Sequence, residues 1–168
     1  AGGCLLLAVL IFLVWKWVAS KRGKSAGQAH KDPPYLVALR RLEHYRSNKY
    51  WAPDKQKAFY SGITDALREY IGARYGIDAM EMTTAEIFKD LKSAGVPADL
   101  YEEIKALFQT ADYVKFAKAS ASDEENAAAL PSAVRFVTVT YQSQLAEEEA
   151  ARKAAQAKSS AKKEGGEA

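Results

Sequence analysis

The apolar residues of this chain change their spacing along its length. Cys4 to Ala19 reads CLLLAVLIFLVWKWVA, sixteen residues with one charge, Lys16. Leu5 to Trp15 shows no polar stripe, which a helix on a soluble core would need. After residue 32 the pattern becomes amphipathic. Pro33-Pro34 suits a helix start, and Tyr35, Leu36, Leu39, Leu42 and Tyr45 follow at helical spacing. That helix is expected to stop near Ser47-Asn48. A second begins at Pro53-Asp54, with Phe59, Ile63, Ala66, Leu67, Tyr70 and Ile71 on one face and Gly76 as a left-handed cap. Gly62 and Gly72 weaken it, unless they mark close helix packing.

Two capping boxes open later helices. Thr83-Thr84-Ala85-Glu86 starts a third, with Ile87, Phe88 and Leu91 inward and an end at Gly95. A fourth starts at Pro97-Asp99 and carries Leu100, Ile104, Leu107, Phe108 and Ala111. Ser122-Asp123-Glu124-Glu125 opens a fifth through Leu130, Val134, Val137, Tyr141 and Leu145. Two features oppose this last reading. Pro131 would kink or restart the helix, and residues 134–141 alternate enough to form a strand. Helix is preferred because no second strand candidate exists to pair with it. The expected fold class is all-α: an N-terminal transmembrane helix and a bundle of about five helices. The segments are 1–19 (membrane), 20–32 (basic tether), 33–145 (bundle) and 146–168 (helical extension, then a tail disordered from Ser159).

Sixteen helical residues span about 24 Å, short of the ~30 Å hydrocarbon core. The first residue is not Met, so the span is expected to begin upstream in a longer protein. Trp15, Lys16 and Trp17 suit the membrane interface, with Lys21 and Arg22 beyond it. A signal peptide would carry its positive charge before the apolar run, not after it. Positive residues beside a span stay cytoplasmic. Residues after about 20 are therefore expected on the cytoplasmic side of the inner membrane, in a single-pass protein.

Charge sharpens this picture. The chain of 168 residues has net charge +3. Residues 1–31 carry +5, residues 32–145 carry −2 and residues 146–168 carry 0. A nucleic-acid-binding domain carries its basic excess on the folded unit, and here the excess lies before it. One cysteine, Cys4, and two histidines, His30 and His44, leave no material for a disulfide framework or a metal centre. No phosphate-binding glycine loop or nucleophile elbow occurs. No catalytic, cofactor-binding or metal-binding residue is assigned. Asp65 and Glu69, four apart on one helix, are the only carboxylate pair worth weighing for a hydrolase, and a solvated charged face explains them.

Three stretches together resemble a known family: YLVALRRLEHYRSNKYW (35–51), KAFYSGITDALREYIGARYGIDAMEMTTAEIFKDL (57–91) and ADYVKFAKASASDEENAAALPSAVRFV (111–137). They are similar to the cytoplasmic C-terminal part of single-span membrane proteins of Bacteroidetes. Those are encoded beside a MoxR-type ATPase and von Willebrand A-domain proteins, in the Bat, or aerotolerance, cluster. The resemblance spans about residues 5–142, and the tail after Leu145 does not match. It implies a membrane-anchored scaffold working with that AAA+ ATPase and the A-domain proteins, without a known enzymatic activity. A signalling or nucleic-acid-binding output domain is the alternative.

Most of the shared motif has a folding explanation: Gly76 ends a helix, Thr83, Thr84, Glu86, Ser122 and Glu125 cap two others, and Met80 and Met82 fill core gaps. Asp112, Lys115, Phe116 and Lys118 are less easily explained by packing and are candidate partner contacts. So are Tyr50 and Trp51, because Tyr45, Tyr50, Trp51, Tyr60 and Tyr101 exceed what so small a core can bury. Tyrosine and tryptophan are also common interface anchors.

Overall fold

The computed structural model of the chain describes residues 32–117 and 119–164. The expected membrane segment and tether, with Trp15, Lys16, Trp17, Lys21 and Arg22, lie outside the described residues, as do Lys118 and residues 165–168. Among the described residues the fold is all-helical, with five α-helices and no strand: α1 Pro34–Glu43, α2 Gln56–Tyr75, α3 Thr84–Ser93, α4 Ala98–Phe116 and α5 Asp123–Glu164. A short 3-10 turn, Asn48–Trp51, precedes α2. None of these helices is long and apolar enough to cross a membrane.

Helix α2 is the central element, packed against α1, α4 and α5, while α3 rests on α4. Its buried face (Phe59, Tyr60, Ile63, Ala66, Leu67, Tyr70 and Ile71) recurs at three- and four-residue spacing, as a helix on a core requires. Leu42, Ile87, Leu91, Leu100, Ile104, Phe108, Phe136 and Val137 complete the interior. At the end of α2 the chain reverses through Gly76, whose φ of 69° is a left-handed conformation that glycine adopts without penalty.

Buried polar groups join the elements where apolar contact alone would leave the register loose. Gln56 opens α2 and is 3 % exposed. Its amide donates to the carbonyls of Trp51 (2.9 Å) and Ala121 (3.3 Å), and its side-chain oxygen accepts from the Ala121 N–H (2.8 Å). Asn126 reaches the same carbonyl at 3.4 Å and accepts from the Tyr60 hydroxyl at 3.1 Å. The α4–α5 connection and the start of α5 are thereby tied to the first turn of α2. Further along, the Tyr70 hydroxyl lies 2.8 Å from Thr140 Oγ1 and 3.2 Å from the Val137 carbonyl. Tyr35 stacks on Tyr141 with ring centroids 3.7 Å apart, joining α1 to α5.

Several expectations are corrected. Helix α1 ends at Glu43 rather than near Ser47, and Leu36 is exposed: Ala38 and Leu42 make its buried face. Residues 53–55 form a turn, and α2 starts at Gln56. Met80 is 49 % exposed and fills no core gap. The connector it belongs to is held instead by Arg68, which donates to the Ala79 and Met82 carbonyls at 2.7 and 2.6 Å. Thr83 is the residue that caps α3, accepting from the Glu86 N–H. Thr84 is the first helical residue and not the cap.

Residues 134–141 are helical, and Pro131 lies inside one continuous helix of 42 residues. Ala127 and Pro131 are both exposed, so the proline removes a helical donor on the solvent side of the helix, where water can replace it. That helix runs through Glu164, so residues 159–164, expected to be disordered, are helical. Alanine, lysine and glutamate are strong helix formers and propagate a helix already nucleated in the bundle.

Candidate interaction surface

Two features on the α4–α5 side of the bundle offer something beyond packing. The first is the C-terminal end of α4. Val114 and Ala111 turn inward, which places Tyr113 and Phe116 on the outer face, one turn apart. Tyr113 is 57 % exposed and Phe116 76 %, the most exposed large apolar side chains among the described residues. The Lys115 ammonium sits 5.6 Å from the Phe116 ring centroid, within cation–π range. Asp112 and Lys115 are half-buried beside them. Of the candidate contacts Asp112, Lys115, Phe116 and Lys118, the structure thus brings three to one helix end, and Lys118 lies outside the described residues.

Tyr50 and Trp51 do not form an exposed pair. Both are half-buried against the core, as are Tyr45 and Tyr101, and Tyr60 is fully buried. Three of the five, Tyr45, Tyr50 and Tyr60, share one run of edge-on ring contacts with Phe59, while Tyr101 meets Phe88 edge-on at 5.5 Å. Tyr45 lies 5.3 Å from Tyr50 and 6.1 Å from Phe59, and Phe59 lies 5.2 Å from Tyr60. The Tyr50 hydroxyl is 3.0 Å from His44 Nε2, which gives that histidine a local structural partner. Trp51 lines a cavity of about 350 Å³ with Tyr45, Leu130 and Val134.

The second feature is a shallow groove between α4 and α5 with a volume of about 210 Å³. Ala106, Leu107, Ala128 and Ala129 form its floor. Its two ends carry carboxylates. Glu103 and Asp99 both engage Arg135. Glu125 accepts from the Ser122 N–H at 2.8 Å and from Thr110 at 3.2 Å. The backbone hydrogen bond from Ser122 is the main reason the Glu125 carboxyl is held below its ordinary range. Glu86 is lowered in the same way, first by the Thr83 hydroxyl and then by the Thr83 N–H. The cap residues Gly76, Thr83, Glu86, Ser122 and Glu125 are therefore all where the sequence placed them.

Glu69 of the weighed carboxylate pair forms an ion pair with Arg41, and Asp65 is half-buried one turn away. Among the described residues no group of three or more His, Cys, Asp or Glu is placed to hold a metal ion. The groove and Tyr113 were not singled out by sequence reasoning. The signal for Tyr113 existed: residues 104, 107, 108, 111 and 114 form one stripe, and 113 and 116 fall off it. The groove has no such signal, because alanines read equally well as core or surface. Compared with protein-family models, curated proteins and solved structures, the chain finds no match in any of the three.

Proposed function

We propose that this chain is a non-catalytic interaction module, held at the inner membrane by its apolar segment 5–19, that presents the end of α4 to a protein partner. The observation that carries the reading is the exposed pair Tyr113 and Phe116. Leaving two large rings in water at one helix end is unfavourable by roughly 25 cal/mol per Å² of apolar surface, and a partner removes that penalty. Contiguous apolar surface of this kind marks interaction sites, and aromatic side chains dominate interface energetics. The net charge of −2 over residues 32–145 favours a protein over a nucleic acid. The resemblance noted above supplies the partners to try: a MoxR-type AAA+ ATPase and von Willebrand A-domain proteins.

The test is retention of each purified partner on the immobilised full chain in mild detergent. Phe116→Ala with Tyr113→Ala should lower retention about tenfold or more while leaving the melting temperature within a few degrees, since neither ring is in the core. Failure of every partner to bind, or equal retention by the double variant, would refute the proposal.

A further inference from the structure

Pro131 lies inside α5, and proline is the residue least suited to a helix interior. It is exposed, so core packing does not require it. Its consequence is local and chemical. Position 131 has no N–H, so the Ala127 carbonyl receives no helical hydrogen bond from it. Residues four apart share a helix face. Here that face borders a cavity: Ala127 and Pro131 both line the space of about 350 Å³ that is walled by Tyr45, Trp51, Leu130 and Val134. Those four walls are half-buried, whereas Ala127 and Pro131 are exposed. A hydrogen-bond acceptor thus stands at the mouth of an aromatic and apolar cavity.

The other polar groups of the lining are already engaged. Asn126 is 1 % exposed; its Oδ1 accepts from Tyr60 and its Nδ2 donates to the Ala121 carbonyl. Arg46 is the one charged residue of the lining, and it pairs with Glu43 at 2.5 Å. The cavity therefore offers no unmatched charge.

We infer that this cavity binds a small neutral aromatic molecule bearing one ring N–H or O–H, which donates to the Ala127 carbonyl. Volume sets the size: about 350 Å³ is near the low end of the roughly 300–1,000 Å³ of small-molecule sites, which suits one or two rings. The walls set the body, since a ring beside Tyr45 and Trp51 makes the offset or edge-on contacts that aromatic pairs prefer. The carbonyl sets the polar group. A ligand donor takes the place of water there, whereas a ring without one leaves the acceptor unpaired. Among the described residues, none of the exposed large apolar side chains (Leu36, Met80, Tyr113, Phe116 and Leu145) lines this cavity. It lacks the apolar surround of a protein interface, which favours a free small molecule as the occupant. The site is separate from the end of α4, and neither reading rests on the other.

Indole is the probe: a ring N–H, two fused rings and no charge. 1-Methylindole is the same body without the donor, and indole-3-acetate adds a charge. The full chain in mild detergent, methyl-labelled at leucine and valine, is titrated with each and followed by NMR. Indole should shift the Leu130 and Val134 methyls saturably by about 1 mM, and leave the buried Leu100 methyls in place. 1-Methylindole should bind about two- to tenfold more weakly, as loss of one hydrogen bond requires. Indole-3-acetate should bind no tighter than indole. Pro131→Ala restores the N–H at 131, and the helix then takes the Ala127 carbonyl. This variant should resist urea better than wild type, still bind the ring, and lose its preference for indole over 1-methylindole. Ala127→Phe, at an exposed position, fills the mouth and should abolish the shifts with helicity unchanged by circular dichroism. Absence of a saturable shift at Leu130 and Val134 overturns the inference. So does equal binding of indole and 1-methylindole to the wild type, tighter binding of indole-3-acetate, a preference that survives in Pro131→Ala, or shifts that persist in Ala127→Phe.

Discussion

Gly62 offers a strict test of how α1 and α2 are packed. In an ordinary helix interior, glycine to alanine stabilises by about 1 kcal/mol. Gly62 sits in the middle of α2, so propensity alone predicts a gain. The structure reverses the sign. A Cβ at Gly62 would overlap Tyr45 Oη, Cζ and Cε2, far inside the roughly 3.5–4.0 Å of a favourable contact. The Tyr45 ring must move off Gly62. It packs edge-on against Phe59 and Tyr50 at 6.1 and 5.3 Å, and aromatic pairs contribute about 0.5–1.5 kcal/mol each beyond area burial. Losing two such pairs and some ring burial, less the helix gain, gives a net destabilisation of about 1–3 kcal/mol for Gly62→Ala.

Urea denaturation followed by far-ultraviolet circular dichroism measures this directly. The decisive comparison is the double-mutant cycle with Tyr45→Ala. With the ring gone, Gly62→Ala should recover its intrinsic effect and stabilise by about 1 kcal/mol. A coupling of about 2–4 kcal/mol between the two sites follows. If Gly62→Ala stabilises equally in both backgrounds, the ring does not lie over Gly62 and the α1–α2 packing described here is wrong.

Other consequences are as specific. Gln56→Leu strands the buried Ala121 N–H, and should destabilise by about 2–4 kcal/mol at the urea midpoint with faster hydrogen exchange at Ala121. Arg68→Met removes both donors to the Ala79 and Met82 carbonyls, and should destabilise by about 2–3 kcal/mol while raising proteolysis between Gly76 and Met82. Ser122→Ala removes the cap of α5 and should lower stability by about 1 kcal/mol. Glu86 and Glu125 both have their folded-state carboxyls lowered from 4.5. Their contribution is therefore fully present above that value and is lost as pH falls below it. Thermal unfolding at pH 3.5 to 6 should show this loss, and it should be smaller in Ser122→Ala, where Glu125 has lost part of its box.

Elements were legible where one local rule decided them. The two capping boxes and Gly76 were read correctly because each depends on residues no more than three or four apart. The α2 stripe was legible in Phe59, Ile63, Ala66, Leu67, Tyr70 and Ile71, which repeat at helical spacing, while buried Tyr60 was not read as part of it. Aromatic placement was not. Whether Tyr50 and Trp51 face a partner or the core depends on how a 3-10 turn folds back against Tyr45 and Gln56, contacts that no spacing encodes. Met80 was misplaced for a related reason: the side chain that fixes its connector is Arg68, more than ten residues earlier. The length of α5 was underestimated because alanine with mixed charge reads both as helix and as solvated tail, and only continuity with a packed helix separates the two.

The distribution of polar pins bears on the function proposed here. Gln56, Asn126 and Tyr60 fix the α4–α5 connection onto α2, and Tyr70 with Thr140 fixes α5 about four turns further along. Both anchors lie on the side of α5 facing α2, and each joins residues more than sixty positions apart in sequence. The end of α4 that bears Tyr113 and Phe116, and the groove beside it, are thereby held on a stiff frame. A surface so held loses little conformational entropy on binding. Such stiffness makes modest apolar area sufficient for recognition, and loosening the frame should weaken binding at a surface it never touches. Gln56→Leu tests this. In a variant still folded at the assay temperature, partner retention should fall, although Gln56 lies outside the contact.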